Sequence, residues 1–293
     1  MKVSIIIPTY NRSHILEDTL ESLEQMETDL NPQVIVVDDS DTSRTEELCG
    51  EYVFVEYVRP EKSINLPHAR NVGLDHAEHE IVAFVDDDVR FHDKWLESIL
   101  ETFQDESVVS VGGPAIELED GEARMDIIRK RKPQNQITEK GFVKDESSRW
   151  IPPEPVEVDN LRGANMAFRK SKLSEIGGFD ENYIGNSFRE DTDIFARLNS
   201  KGAKIVYNPD ARVDHLLEEE GGCRDRSKDF WYSLGHNQRR FVEKNFSQHL
   251  EKHLTRMFLT WSYAPYSLSK ILLSSLKNLE MERLHYIRGF LSV

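Results

Sequence analysis

The amino-acid sequence predicts an α/β fold, in which a mostly parallel sheet carries helices on both faces and is followed by a C-terminal helical extension. Short apolar runs alternate with amphipathic stretches through the first 112 residues, which is typical of successive βαβ units. Most of these runs are apolar at consecutive positions, as expected of strands buried on both faces. From about residue 228 onward, basic residues flank apolar, aromatic-rich stretches at helical spacing.

The first predicted strand, 3–7, is stopped by Pro8 and is too short for a buried helix. We expect Ser13 to cap a helix over about 14–26, because the apolar residues that follow it recur on one face. Further strands are expected at about 34–37, 53–55, 81–85 and 108–111, and helices from near 45, over about 70–77 and over about 94–103. Crossovers between these parallel strands should be right-handed.

Regular patterning ends between about 113 and 160, in a proline-containing stretch with a basic run at 129–132. Long irregular segments in compact domains are often functional loops. Regular structure is expected again as a strand at about 164–168, a helix at about 191–201 and strands at about 204–207 and 213–215. The second half therefore completes the sheet after a long variable insertion.

Composition excludes several classes of protein. The 293 residues include 37 basic and 53 acidic side chains, and the net charge of −16 argues against nucleic-acid binding as the main task. The two cysteines, Cys49 and Cys223, form no disulfide framework, so a reducing compartment is expected. The N-terminus shows no signal-peptide pattern, and no uncharged apolar run reaches the roughly 18 residues of a spanning helix. We therefore expect a cytoplasmic location.

The charge is unevenly distributed along the chain. Residues 222–293 contain 12 basic and 6 acidic side chains, whereas residues 1–221 carry a net charge of −22. An acidic run followed by a glycine pair, at 218–222, marks the change. We expect a body of residues 1–220 and a helical extension of residues 221–293.

Three consecutive carboxylates, Asp86, Asp87 and Asp88, follow the predicted strand at 81–85. Like charges repel, so such a group favours a bound cation, and carboxylate oxygens suit hard divalent metals such as Mg²⁺ or Mn²⁺. The carboxyl end of a strand is also where open α/β sheets bind ligands. The alternative is a solvated acidic turn between a strand and a helix.

Polar segments follow all of the first four predicted strands, at 8–12, 38–41, 65–73 and 86–88. Since the carboxyl ends of parallel strands meet at one edge, we expect these segments to lie together. Taken singly each is weak evidence, because Asp and Ser often only cap helices. Arg70, taken alone, could equally be a surface or helix-end charge.

Together with three later segments, these residues resemble the family 2 glycosyltransferases, which have the Rossmann-like GT-A fold. The seven matching segments keep the family's order and lie at 8–11, 37–40, 69–73, 86–88, 163–168, 177–181 and 190–193. The resemblance spans about residues 1–220. It implies a nucleotide-diphospho-sugar transferase with the donor site in about 1–112 and the acceptor side in about 113–220.

The resemblance also implies which residues bind the donor. These are Pro8, Thr9, Tyr10, Asn11, Asp39, Arg70, Asp86 and Asp87. A carboxylate at Asp39 that accepts a hydrogen bond from a ring N–H suits uracil, thymine or guanine, so UDP-, dTDP- and GDP-sugars all stay open. Arg70 would offset diphosphate charge, and Asp86 would approach the ribose.

The implied metal ligands are Asp88 and His215, which would hold Mn²⁺ or Mg²⁺ beside the diphosphate. A lone histidine is more often structural, and the three consecutive Asp residues leave the register of the Asp-x-Asp motif open. Asp191 is the implied general base, since transfer with inversion needs a carboxylate opposite the leaving diphosphate. Alternatively, Asp191 only stabilises the start of a helix.

The implied acceptor is a hydroxyl of a glycan or of a lipid-linked molecule. The basic run at 129–132 is either a solvated face or a contact for a phosphate-bearing acceptor, and Trp150 either stacks on an acceptor sugar or packs the loop. Residues 221–293 either contact an anionic membrane surface, giving a peripheral location at its inner face, or pack on the body or in an oligomer.

Two other functions would require sequence features that this chain does not show. A nucleotidyltransferase would be expected to show a glycine-rich, basic phosphate loop at 8–11, where none stands. A silent glycan-binding scaffold would be expected to have lost Asp88 or Asp191, and both are present.

Overall fold

A computed structural model of the chain describes residues 1–119, 121–216, 228–253 and 281–292. The strands are Val3–Thr9 (β1), Gln33–Asp38 (β2), Val55–Val58 (β3), Ile81–Val85 (β4), Val89–Phe91 (β5), Val108–Gly112 (β6), Ala115–Glu119 (β7), Glu122–Ala123 (β8), Gln136–Ile137 (β9), Val143–Lys144 (β10), Val156–Glu157 (β11), Asn165–Arg169 (β12), Lys204–Tyr207 (β13) and Val213–Leu216 (β14). The helices are Ser13–Glu24 (α1), Arg44–Cys49 (α2), Leu66–His76 (α3), Trp95–Thr102 (α4), Lys170–Glu175 (α5), Glu190–Asn199 (α6), Lys228–Phe246 (α7) and Met281–Leu291 (α8).

The predicted mostly parallel sheet is confirmed. Eight strands lie in the order β11-β13-β6-β12-β4-β1-β2-β3. Strands β1 to β4 pair in parallel, and so do β6 and β13, whereas β12 and β11 are antiparallel to their neighbours. Because β1, β2 and β4 run in the same direction, the segments that follow them meet at one edge of the sheet.

Alternate residues of the central strands pack into different apolar clusters. Ile5 and Ile7 of β1 belong to one cluster with α1 and α4, and Ile6 belongs to a second cluster with α3 and α6. A side-chain period of two sends successive residues to opposite faces of a sheet. This arrangement explains why the strand sequence is apolar at every position and confirms helices on both faces.

Three local expectations differ from the structure. Ser13 is the first residue of α1 and not its cap: Arg12 stands at the cap position and makes no side-chain capping hydrogen bond. Strand β3 begins two residues later than expected, because Val53 is fully exposed in a turn. The stretch 113–160 is not irregular throughout, since β7 pairs with β14 in a second, four-stranded sheet.

The described part of the C-terminal extension packs on the body. Phe241 and Val242 of α7 form an apolar cluster with Tyr183 and Ala196, and α8 packs along α7. The segments 257–264 and 271–273, which the sequence predicts to be helical, lie outside the described residues. Among the residues described, no helix combines the length and the apolar character needed to cross a bilayer.

Candidate functional site

A cavity of about 380 Å³ opens at the edge of the sheet where β1, β2 and β4 end. Its lining consists of Pro8, Thr9, Tyr10, Arg12, Asp39, Ser63, Ile64, Asn65, Leu66, Ala69, Asp86, Asp87, Asp88 and Gly185. Seven of the predicted site residues are therefore part of this lining. Of the other four, Arg70, Asp191 and His215 connect to the lining through the contacts described below.

The end of β1 forms one wall. Thr9 is buried and donates a hydrogen bond to Asp87 Oδ2 at 2.6 Å. Tyr10 is 45% exposed, and both its hydroxyl and the Asn11 amide bind Asp41. Asn11 has a φ of 55°, a left-handed conformation that asparagine tolerates better than most residues. The tight turn presents the Tyr10 ring at the mouth of the cavity.

The two carboxylates after β2 have different surroundings. Asp38 is fully buried and accepts a hydrogen bond from the Tyr57 hydroxyl at 2.9 Å, so it serves packing. Asp39 lines the cavity beside Ser63 and Ile64. Burial raises the pKa of the Asp39 carboxyl, and the Ser63 hydroxyl acts in the opposite direction. Asp39 is thus the carboxylate available to a ligand.

Arg12 provides the counter-charge of the aspartate run, a role that sequence reasoning missed. Its guanidinium forms a salt bridge to Asp87 and contacts Asp88 at 3.3 Å, and all three side chains are 8% exposed or less. Burial raises the pKa of Asp87 to about 6, although Arg12 opposes the rise. The available signal was an arginine in the segment that follows β1, at the same sheet edge as the carboxylates.

Asp86, Asp88 and His215 form a cluster that can hold a metal ion. One oxygen or nitrogen atom of each lies within 4.8 Å of the others, and His215 Nε2 is 3.0 Å from Asp88 Oδ1. His215 reaches the cluster because β14 pairs with β5, which sets it opposite Val89. Two carboxylates and an imidazole are a donor set that suits Mn²⁺ or Mg²⁺. Asp87 instead contacts Arg12 and Thr9.

Arg70 lies beneath the cavity. It is 1% exposed, forms a salt bridge to Glu190 and lies 3.2 Å from Asp86. Its guanidinium also donates to the Gly163 carbonyl at 3.2 Å. Arg70 therefore connects Asp86 of the cluster to Glu190 at the start of α6. Because Arg70 does not line the cavity, its charge acts mainly by partly neutralising these two carboxylates. Burial raises the pKa of Glu190, and Arg70 acts against this rise.

Asp191 lies next to Glu190 and is half-buried. Its Oδ2 atom accepts a hydrogen bond from the Gly163 amide at 2.9 Å, and its Oδ1 atom accepts one from the Thr192 amide at 2.6 Å. A Cβ atom at residue 163 would lie 3.0 Å from Arg70 Nη2 and 3.3 Å from Asp191 Oδ2. Glycine at 163 thus leaves room for both Arg70 and Asp191 to contact the backbone of this residue.

The open question about Trp150 is answered by its burial. Trp150 is fully buried, its ring stacks on Tyr207 at 4.6 Å and its Nε1 atom donates to the Lys130 carbonyl at 2.8 Å. It packs the loop and does not face an acceptor. The side chains of the basic run at 129–132 are all exposed.

The family model described as glycosyl transferase family 2 matches residues 4–176, and one described as N-terminal domain of galactosyltransferase matches residues 152–218. A glucosyl-dolichyl phosphate glucuronosyltransferase of Haloferax volcanii is 26% identical over 229 residues, which are 75% of this chain and 70% of the relative. Chondroitin synthase of Escherichia coli is 30% identical over 223 residues, which are 68% of this chain but only 32% of that longer protein.

Solved structures share the fold at low sequence identity. TarS residues 1–349 of S. aureus in complex with UDP-GlcNAc superposes with a TM-score of 0.66 and 20% identity, covering 99% of this chain and 79% of that one. The mannosyltransferase PcManGT of Pyrobaculum calidifontis with GDP-Man and Mn²⁺ superposes with a TM-score of 0.61 and 15% identity, covering 98% and 79%. At these identities the likeness establishes the architecture alone.

Proposed function

The chain belongs to glycosyl transferase family 2 and has the GT-A fold, and we propose that it is a metal-dependent, inverting glycosyltransferase of the hexosyltransferase type. It would move a single sugar from a nucleotide-diphosphate donor to a hydroxyl group of an acceptor. The observation that carries the proposal is the cluster of Asp86, Asp88 and His215 at a cavity that also contains Asp39. In one cavity, the carboxylate of Asp39 would bind the base of a nucleotide diphosphate and the metal site would bind its diphosphate.

Each part of the cavity has a proposed task in donor binding. Tyr10 and Ile64 offer apolar surface to a base, and Asp39 accepts a hydrogen bond from its ring N–H. Asp86, Asp88 and His215 would hold Mn²⁺ or Mg²⁺, and such an ion, when bound, neutralises the charge that develops on the leaving diphosphate. The donors bound by the structural neighbours, UDP-GlcNAc and GDP-Man, support a nucleotide sugar but leave the base open.

Asp191 is the proposed general base. Its carboxylate would take the proton of the acceptor hydroxyl while that oxygen forms a bond to the anomeric carbon and the bond to the diphosphate breaks. The Gly163 and Thr192 amides orient the carboxylate, and Arg70 ties the preceding Glu190 to Asp86 of the cluster. General-base assistance of this kind contributes about 10²–10⁴-fold to a rate.

The proposed acceptor is a glycan or a lipid-linked molecule, and the proposed location is the cytoplasm or the inner face of a membrane. The names of two relatives support these acceptor classes, since one is a glucosyl-dolichyl phosphate glucuronosyltransferase and one a chondroitin synthase. The exposed basic run at 129–132 would suit an acceptor that carries phosphate. We also propose that residues 221–293 contact the membrane surface. Formation of an oligomer is a further part of the proposal.

A thermal-shift panel tests the donor site. UDP-, GDP- and dTDP-sugars are each added with Mn²⁺, with Mg²⁺ or with EDTA to the wild-type chain, to Asp88→Ala and to the exposed control Asp105→Ala. We expect one nucleotide family to stabilise the wild type and the control by about 2.7 kcal/mol at 100 times its dissociation constant. The shift should vanish with EDTA and in Asp88→Ala. A chain that no nucleotide sugar stabilises under any metal condition would contradict the proposal and favour a non-catalytic role.

A further inference from the structure

The segment between Asp180 and α6 has an unusual backbone. Gly185, Ser187 and Arg189 have φ values of 54°, 51° and 75°, so three of its residues lie in the left-handed region. For a serine and an arginine this conformation is unfavourable and persists only when the surroundings impose it. Gly185 also lines the donor cavity, and Asp191 follows two residues after Arg189. We call residues 180–189 the base loop.

Helix α7 makes several contacts that hold this loop. Asn237 is fully buried, accepts a hydrogen bond from the Ile184 amide at 3.0 Å and donates one to the Ile184 carbonyl at 2.8 Å. Ser233 packs closely on the loop: a Cβ atom added at Gly185 would lie only 2.7 Å from the Cβ atom of Ser233. A buried amide that satisfies both backbone groups of one loop residue fixes that residue in place.

Other side chains of α7 extend the contact toward the helix that carries Asp191. Gln238 accepts a hydrogen bond from Arg189 Nε at 3.1 Å, and the Arg189 guanidinium lies over the Phe188 and Phe241 rings. The α7 residues that hydrogen-bond to the loop or to α6, or lie against Arg189, include Ser233, Asn237, Gln238, Arg240, Phe241, Lys244 and Asn245. These positions recur every three or four residues, so they form one face of the helix.

We propose that α7 is a structural part of the catalytic centre and that Asn237 is a positioning residue, which acts on Asp191 through the base loop. The functional unit then extends beyond residue 220 to include α7. The expected effect on turnover rests on the proposed role of Asp191 as the base. The effect on the order of the base loop does not depend on that role. The proposed contact between α7 and the loop and the proposed role of Asp191 can therefore fail separately.

Hydrogen exchange followed by mass spectrometry tests whether α7 holds the base loop in place. This measurement does not require the protein to be active. Asn237→Ala removes both bonds to Ile184, and Gln238→Ala is a milder second variant that removes only the contact to Arg189. Val3→Ala is the control, because Val3 is buried in the core at the end of β1 that lies away from the cavity. We expect faster exchange in residues 184–190 of both loop variants, larger in Asn237→Ala, with unchanged exchange in β4. Exchange equal to that of the control would overturn the proposal.

Steady-state kinetics with the donor found in the thermal-shift panel tests the functional half. A displacement near 1 Å at a reacting group can lower a rate by about 10²-fold. We therefore expect kcat of Asn237→Ala to fall by roughly 10- to 100-fold while KM for the donor changes by less than about threefold. Val3→Ala should keep its kcat. A looser loop with unchanged kcat, or an equal loss of kcat in Val3→Ala, would refute a positioning role.

Discussion

Replacing Arg12 tests whether its charge compensates the buried carboxylates of Asp87 and Asp88. The Arg12→Met variant keeps an unbranched side chain but removes the charge that Asp87 and Asp88 share. Arg12 is 8% exposed on its side chain, and the two carboxylates are 4% and 2% exposed. Removing one partner of such a buried pair leaves an uncompensated charge and typically destabilises a protein by about 3–5 kcal/mol. We expect a loss of this size in metal-free protein at neutral pH.

The loss should depend on pH and on metal. Because the pKa of Asp87 in the folded protein, about 6, exceeds the ordinary value of 3.8, this group lowers the free energy of unfolding progressively as pH rises from about 3.8 to about 6. Without Arg12 this effect grows, so the difference between variant and wild type should widen between pH 5 and pH 8. A divalent cation at Asp88 would replace part of the missing charge, and Mn²⁺ should therefore stabilise the variant more than the wild type.

Urea denaturation followed by circular dichroism, with EDTA and with Mn²⁺, measures all three effects. The matched control is Arg90→Met, which breaks an exposed salt bridge to Asp18 whose side chains are 55% and 46% exposed. Exposed pairs contribute only about 0–1 kcal/mol. An Arg12→Met variant that loses no more stability than Arg90→Met, or whose loss is the same at pH 5 and pH 8, would refute the reasoning.

Three further changes give separate tests. Gly73→Ala should lose about 1–3 kcal/mol in urea denaturation, because its Cβ would lie 2.4 Å from Ile6; unchanged stability would contradict the packing of α3. Asp180→Asn should lose about 1–2 kcal/mol at pH 7. Although burial acts in the opposite direction, pairing with Lys244 and Arg240 lowers the pKa of Asp180. This loss should therefore shrink progressively as pH falls below about 4; a loss of constant size at low pH would point to packing. Asp39→Asn should weaken donor binding by roughly 10- to 100-fold in calorimetry, and unchanged affinity would exclude Asp39 from base recognition.

Much of the site could be predicted because its residues follow strands. Apolar runs located β1, β2 and β4, and parallel pairing then brought residues 8–12, 38–41 and 86–88 to one edge. The family resemblance added residue 215, which β14 brings beside the aspartate run. The periodicity of apolar residues and the order of motifs can both be read along the chain, so one sequence suffices to find them.

The partners of the buried charges could not be predicted in the same way. Arg12 and Asp87 are 75 residues apart, and Arg70 and Glu190 are 120 residues apart. No local pattern tells which of several acidic residues a given arginine will approach, since this depends on how helices pack over the sheet. For the same reason Asn237 carries no sequence signal, although it fixes the backbone of residue 184.

The most direct test of the central claim compares donor binding with sugar transfer in Asp191→Asn. The substitution keeps the size of the side chain and one oxygen that can accept from the Gly163 amide, gives up the bond from the Thr192 amide, and removes the capacity to take a proton. We expect a donor dissociation constant within about twofold of the wild type and a turnover reduced by about 10²–10⁴-fold. A variant that binds the donor normally and transfers the sugar at nearly the wild-type rate would contradict the assignment of Asp191 as the base.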